Sequence, residues 1–138
     1  MTQIIDYICN LIEEQTQNEI KPVIGSLPPM GGVAIQQSSG NVSAPYFPRT
    51  QAIRETYVVN AKSDSQYTAM QLLETVHQIL TKRTAYGETD DWQIITIRTL
   101  NTPDYLGQEN NEAYLYGSSI EVSYFDRIQA DNGEVTNE

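Results

Sequence analysis

The sequence has few of the residues on which disulfides and metal sites depend. Among 138 residues there is one cysteine, Cys9, and one histidine, His77. A single cysteine excludes an internal disulfide, and one cysteine with one histidine does not make a zinc-binding pattern. Cys9 lies among isoleucines at helical spacing, with no basic residue close to it in the sequence. We therefore interpret it as a small buried apolar residue and not as a reactive thiol.

Basic residues are also scarce. Eight lysines and arginines stand against eighteen aspartates and glutamates, so the net charge is −10 and the isoelectric point is about 4.4. Proteins that grip nucleic acids neutralise phosphates with clustered basic side chains, and the sequence contains no such cluster. Charged residues make up only 19% of the chain, and much of the remainder is Gln, Asn, Ser and Thr. A neutral polar surface of this kind favours contact with other proteins.

Long apolar runs are missing, which excludes a membrane-spanning helix. The N-terminus lacks the basic start and apolar core of a signal peptide. The length corresponds to one domain, which can bury a core without the help of disulfides. These features predict a protein of a reducing cytoplasm with no membrane partner.

The segment Gly117-Ser118-Ser119 invites comparison with a serine-nucleophile motif. A nucleophile elbow needs glycine two residues before and two residues after the serine. Ser119 has Gly117 before it but Glu121 after it. A catalytic triad would also have to use His77, which we interpret as a partly buried or surface histidine of a helix. The sequence therefore predicts no catalytic residue and no enzymatic activity.

Cofactor and metal motifs are missing as well. The stretch GSLPPMGG, residues 25–32, lacks the Lys-Ser/Thr ending of a phosphate-binding loop, and its prolines remove amide donors. Glu88, Asp90 and Asp91 lack the alternation and the closing glutamate of an EF-hand loop, so a solvated loop is the preferred interpretation. We predict no cofactor and no metal ion.

Hydrophobic periodicity predicts two helices. Apolar residues at three-to-four spacing indicate an amphipathic helix over residues 3–19, with Thr2 as its N-cap. A second helix begins at a capping box formed by Ser63 and Gln66 and runs to about Lys82.

Alternating apolar and polar residues predict about four strands. One begins after Gly32, and the others cover residues 53–62, 92–99 and 113–125. The proline-rich loop before the first strand leaves room for a short extended piece at Val23–Ile24. Polar excursions at residues 38–52 and 100–112 are expected to be loops, the second forming the tip of a hairpin.

The order of these elements predicts an α+β fold. It consists of a small, mostly antiparallel sheet of about four strands with two helices packed on one face. We expect residues 1–127 to form a single domain and residues 128–138 to form a polar, flexible C-terminal tail.

The sequence has nine tyrosines, which is a notable excess. Three of them, Tyr114, Tyr116 and Tyr124, share one face of the last strand by parity, and packing in the sheet explains them. Tyr46-Phe47 and Tyr105-Leu106 differ because they lie in polar excursions. Aromatic side chains in such positions are often contact anchors, so we predict that these four residues belong to a protein interface. The alternative is that they tuck locally against their own chain.

Two segments make the chain recognisable as a whole. They are the strand-to-helix run ETYVVNAKSDSQYTAMQLLETVHQIL and the last strand YLYGSSIEVSYF, which follow a short N-terminal helix. Thr102, Pro103, Tyr105 and Gly107 stand at the hairpin tip ahead of the last strand. In this pattern the chain resembles the tail terminator or minor capsid proteins of long-tailed, siphovirus-like bacteriophages, over nearly its full length.

The resemblance implies a non-enzymatic structural subunit of the virion, at the head-tail junction, made in the cytoplasm of a bacterial host. It implies a ring, usually of six copies, that caps the tail tube and meets the head connector. The partners would be other copies of the chain, the tail tube protein and a head-completion protein. The acidic composition adds the expectation that DNA passes through the lumen without specific binding. A head-completion (stopper) protein of the same connector and a small ligand-binding domain outside virions remain alternatives.

Overall fold

The computed structural model describes residues 3–42, 52–110 and 112–126. These residues form two helices and five strands: α1 (Ile4–Gln15), β1 (Val23–Ile24), β2 (Gly32–Val42), β3 (Ala52–Ser63), α2 (Gln66–Thr81), β4 (Trp92–Glu109) and β5 (Ala113–Asp126). The strands form one sheet in the order β1-β2-β3-β5-β4, in which only the β1–β2 pair is parallel. The predicted α+β fold is confirmed, with five strands where about four were expected.

The fifth strand is β1, the short extended piece at Val23–Ile24. It pairs with Ala34 and Ile35 of β2 and therefore adds a two-residue edge to the sheet. Its two side chains are exposed, so no alternation of buried and exposed residues marks it as a strand in the sequence.

Helix α1 is shorter than its sequence pattern predicts. The Gln3 backbone N–H donates to the carboxylate of Asp6, which satisfies an orphan donor of the first turn. The apolar stripe then runs to Ile12, and the helix ends at Gln15. Gln17 and Asn18 adopt positive φ angles of 54° and 67°, so the chain leaves helical geometry before residue 19. The predicted cap Thr2 lies outside the described residues.

Helix α2 begins two residues later than the predicted capping box. The N-cap is Ser65, whose hydroxyl accepts a hydrogen bond from the Thr68 backbone N–H at 3.3 Å. Ser63 cannot be the cap because it is still part of β3, where it pairs with Tyr114 of β5. The helix ends at Thr81 with Lys82 as its C-cap, close to the predicted end.

Both helices pack on the same face of the sheet, and one core lies between them and the strands. The register places Tyr57 of β3 opposite Ile120 of β5, and Ile35 of β2 opposite Val59 of β3. Alternation along each strand then directs the buried residues toward the helices. The largest fully buried side chains are those of Ile8, Ile12, Ile35, Val59, Leu73, Val76, Leu80, Ile97, Ile120 and Val122.

Strand β4 departs most from expectation. The sequence predicts a strand over 92–99 followed by a polar tip, whereas β4 continues to Glu109 and β5 begins at Ala113. The tip was misassigned because Pro103 and Gly107 are usually signs of a loop. Here β4 is the outermost strand, where proline is tolerated because its missing N–H would face solvent. Register shifts at three places between Thr99 and Gly107 absorb the remaining irregularity.

The other predicted excursion is also shorter than expected. Strand β2 extends to Val42 and β3 begins at Ala52, so only residues 43–51 separate them, and these are outside the described part of the chain. The predicted tail, residues 128–138, also lies outside the described part of the chain. Neither described helix is long and apolar enough to cross a membrane.

Candidate interaction surface

The β4–β5 hairpin has two halves that differ in burial. In the inner half, Ile97 of β4 pairs with Val122 of β5, and both side chains are buried under the helices. From residue 101 onward every described side chain of β4 is exposed or half-buried. We call residues 101–110 and 112–117 the outer hairpin.

On the helix side of the outer hairpin three tyrosines gather. Tyr105 pairs with Tyr116 across the strands, and their ring centroids are 5.5 Å apart at an interplanar angle of 59°. The ring centroid of Tyr114 lies 6.5 Å from that of Tyr105. Tyr116 also packs against the core, whereas 46% of Tyr105 is exposed. Tyr105 is therefore an aromatic side chain held by two others and presented to solvent, as contact anchors of protein interfaces often are.

On the opposite side, Leu106 lies over Gly117. A Cβ atom placed on Gly117 would be 2.8 Å from Leu106 Cδ1, so the glycine makes room for the leucine. Even so, 61% of Leu106 is exposed. Gly107 follows it at a register shift, and its φ of 142° is a backbone conformation that favours glycine.

Two polar contacts hold the outer hairpin to the rest of the sheet. The ammonium of Lys62 on β3, a nearly buried side chain, is 2.7 Å from the carboxylate of Glu109. Asn101 donates from its amide to the Ser119 hydroxyl at 2.7 Å. The surface is thus a fixed extension of the sheet, although it contributes little to the core.

The structure describes two of the four predicted interface residues. Tyr105 and Leu106 are both exposed, but they lie in a strand rather than in a loop, and on opposite faces of the sheet. Their place in an interface stays a prediction. Strand geometry sends successive side chains to opposite sides, so one partner surface would have to wrap around the edge to touch both. Tyr46 and Phe47 lie outside the described residues.

His77 belongs to a buried network that sequence reasoning missed. Its Nδ1 is 2.7 Å from the Thr99 hydroxyl and its Nε2 is 2.7 Å from the Ser118 hydroxyl. Ser118 donates its own hydrogen to the Val59 carbonyl at 2.9 Å. Nε2 must therefore carry the proton and donate to Ser118, while Thr99 donates to Nδ1.

This network is structural in character. His77 and Ser118 are more than nine-tenths buried between α2 and the sheet, so the serine hydroxyl is closed to a substrate. Burial lowers the pKa of His77, which keeps the ring neutral. The tested serine, Ser119, lies on the other face of β5. Parity indicates that Ser118 shares the helix-facing side with Tyr116 and Ile120, but it does not indicate that Ser118 meets His77.

Other candidate sites carry little chemistry. Burial raises the pKa of Cys9 to about 11, with Asp6 and Glu13 adding to the effect, so the thiol is unreactive at neutral pH. Among residues 3–42, 52–110 and 112–126, no three His, Cys, Asp or Glu side chains are placed to share a metal ion.

The cavity bordered by Tyr57 and Tyr124 has a volume of about 190 Å³. That is below the roughly 300–1,000 Å³ of typical ligand pockets, which disfavours a small-molecule site on the tyrosine face.

Comparisons with known proteins agree with the resemblance seen in the sequence. A family described as bacteriophage tail terminator protein matches residues 25–125. Seventeen chains of solved structures match the fold. One of them, from the structure titled "Virion of native gene transfer agent (GTA) particle", is 12% identical with a TM-score of 0.55, and the match covers 85% of this chain and 83% of that chain. No curated protein sequence shows significant similarity to the chain.

Proposed function

Because the chain belongs to the bacteriophage tail terminator family, we propose that it assembles into a ring, of six subunits, that caps the head-proximal end of the tail tube and joins it to the head connector. The family is a structural one, so the chain is a phage tail protein of the virion, and membership of the family implies a non-enzymatic role. The ring, its size and the two neighbours are the proposed part.

The observation that carries this proposal, besides the family match, is the outer hairpin. A ring needs two different surfaces on each subunit, one to receive and one to engage the next copy or the tube. The outer hairpin presents Tyr105 on one side of an edge strand and Leu106 on the other. An edge strand with unpaired backbone groups and exposed apolar side chains is suited to contact between chains.

The charge of the chain supports passage of DNA through the ring. Eighteen acidic residues against eight basic ones leave few cations to neutralise phosphates. Such a surface lining the lumen would repel DNA. It would not displace the counterions bound to the DNA phosphates, so DNA would slide through without being held. We place the acidic surface toward the lumen as part of this proposal.

The experiment is native mass spectrometry of the purified chain alone and with the phage's tail tube protein. A ring on the tube end is expected for the parent chain. Tyr105→Ala is expected to lower the ring-bound fraction several-fold, because a held aromatic side chain at an interface is worth about 2 kcal/mol or more.

The matched control is Tyr67→Ala. Tyr67 is an exposed tyrosine on α2, with 64% of its surface accessible, and its hydroxyl accepts a hydrogen bond from the Gln71 amide. If the two variants assemble equally well, Tyr105 is not part of the interface. A chain that stays monomeric with tube protein but binds the head connector would instead be a stopper protein.

A further inference from the structure

The face of the sheet that turns away from the helices carries a slot at Gly117. The register places Asn60 of β3 beside Gly117, and Gly117 beside Asp104 of β4. Neighbouring strands are about 4.8 Å apart, so Asn60 and Asp104 stand roughly 10 Å from each other with only a glycine between them. All three residues line an open depression of about 570 Å³.

The residues that line this slot supply hydrogen-bond acceptors but no basic side chain. Asn60 Oδ1 is buried and has no hydrogen-bond partner in the described part of the chain. Asp104 is exposed, and no ion pair is formed by it with any residue that the structure describes. The residues that line the depression are Val58, Asn60, Asn101, Thr102, Pro103, Asp104, Leu106, Gly117, Ser118 and Ser119. None of these is basic, so the negative charge of Asp104 has no partner within the depression.

Leu106 covers the floor of the slot. Its Cδ1 and the Asn60 Oδ1 lie 2.8 Å and 2.9 Å from the place where a Cβ of residue 117 would be. Because Leu106 is largely exposed, rotation of its side chain toward solvent opens the slot without disturbing the core. The leucine can then pack against the apolar part of whatever enters.

We propose that this slot binds an arginine side chain from an extended segment of a different protein. The guanidinium is planar and has donors along two edges, so it can bond the Asp104 carboxylate on one side and Asn60 Oδ1 on the other. Its methylene stem would lie against Leu106 and Val58. A partner with basic segments also complements a chain of net charge −10. This inference is independent of ring formation.

The test uses the full chain and a short peptide, acetyl-Leu-Arg-Leu-amide, followed by amide chemical shifts in NMR spectra. The control peptide has citrulline in place of arginine, which keeps the shape and removes the charge. We expect the arginine peptide to shift the amides of Asn60, Gly117 and Ser119 in a saturable way, and the citrulline peptide to bind about tenfold more weakly. Equal binding of the two peptides, or shifts elsewhere on the protein, would overturn the proposal.

Two variants sharpen the test. Asp104→Asn is expected to weaken binding of the arginine peptide about tenfold, since it removes the charge of an exposed residue without touching the core. Asp90→Asn, at an exposed loop position, is the matched control and should leave the affinity unchanged. If Asp104→Asn binds as well as the parent chain, the slot is not the site.

Discussion

The inner and outer halves of the β4–β5 hairpin are built from the same two strands but are packed differently. In the inner half, Ile97, Ile120 and Val122 are buried under α2 and the pairing is regular from Ile97 to Thr99. In the outer half, the register shifts repeatedly and Tyr105 and Leu106 are exposed. The inner half supplies stability and the outer half supplies surface, so substitutions in the two halves should separate folding from assembly.

The largest expected effect on stability comes from truncating a core side chain of β4. Ile97→Ala should lower the free energy of unfolding by about 2–4 kcal/mol, because it removes a buried side chain and leaves a cavity. Urea denaturation measures this loss. Leu106→Ala, on the same strand but exposed, should change stability by about 0.5 kcal/mol or less. Similar losses for the two variants would show that the halves are not energetically distinct.

The next effect concerns the buried network under the inner half. Ser118→Ala should cost about 1–3 kcal/mol, because the His77 Nε2–H and the Val59 carbonyl both lose their partner in a closed space. Ser123→Ala is the matched control on the opposite face of β5, where the serine forms none of these bonds, and it should be close to neutral. A neutral Ser118→Ala would mean that the network adds no net stability.

The pH dependence of stability follows from the same histidine. Burial lowers the pKa of His77 below its ordinary value of 6.5, so the unfolded chain takes up a proton at a higher pH than the folded protein does. The contribution of the neutral His77 to the free energy of unfolding is therefore fully present above about pH 6.5. It is lost on acidification, by at most about 1.4 kcal/mol per pH unit. Urea midpoints between about pH 7.5 and 5.5 measure the slope. His77→Gln should show a shallower slope over this range, whatever its absolute stability.

The smallest effect is expected where the outer hairpin is tied to β3. Glu109→Gln removes the ion-pair partner of Lys62, and since Glu109 is about half exposed (48%) the cost should be only about 1 kcal/mol or less. Amide hydrogen exchange should accelerate in the outer hairpin and stay unchanged in the inner half. Glu112→Gln, an exposed acid at the turn, should leave exchange unaltered. Faster exchange throughout the protein would contradict the separation of the two halves.

Much of the fold could be predicted from local patterns. The two helices were placed within a few residues, and the faces of β5 followed from parity, because a strand alternates its side chains whatever it pairs with. The outer part of β4 was not predictable in this way. Pro103 and Gly107 indicate a loop in isolation, and they are compatible with a strand only because β4 is at the edge of the sheet.

The candidate surface was predictable in part. Tyr105 and Leu106 were selected because apolar side chains in a polar segment need an explanation, and both are exposed. Their placement on opposite faces depended on recognising a strand there. The link from His77 to Ser118 and the slot between Asn60 and Asp104 had no local signal, since each joins residues that are far apart along the chain.

Chain geometry alone determines that Tyr116, Ser118 and Ile120 point to one side of β5 and that Gly117 and Ser119 point to the other. The pairing of the strands decides what those sides meet. A slip of one residue in the register would exchange the faces of a whole strand, and burial of the apolar face under the helices selects one register. That selection brings His77 to Ser118 on the covered face, and on the open face it sets Asn60 and Asp104 on either side of Gly117.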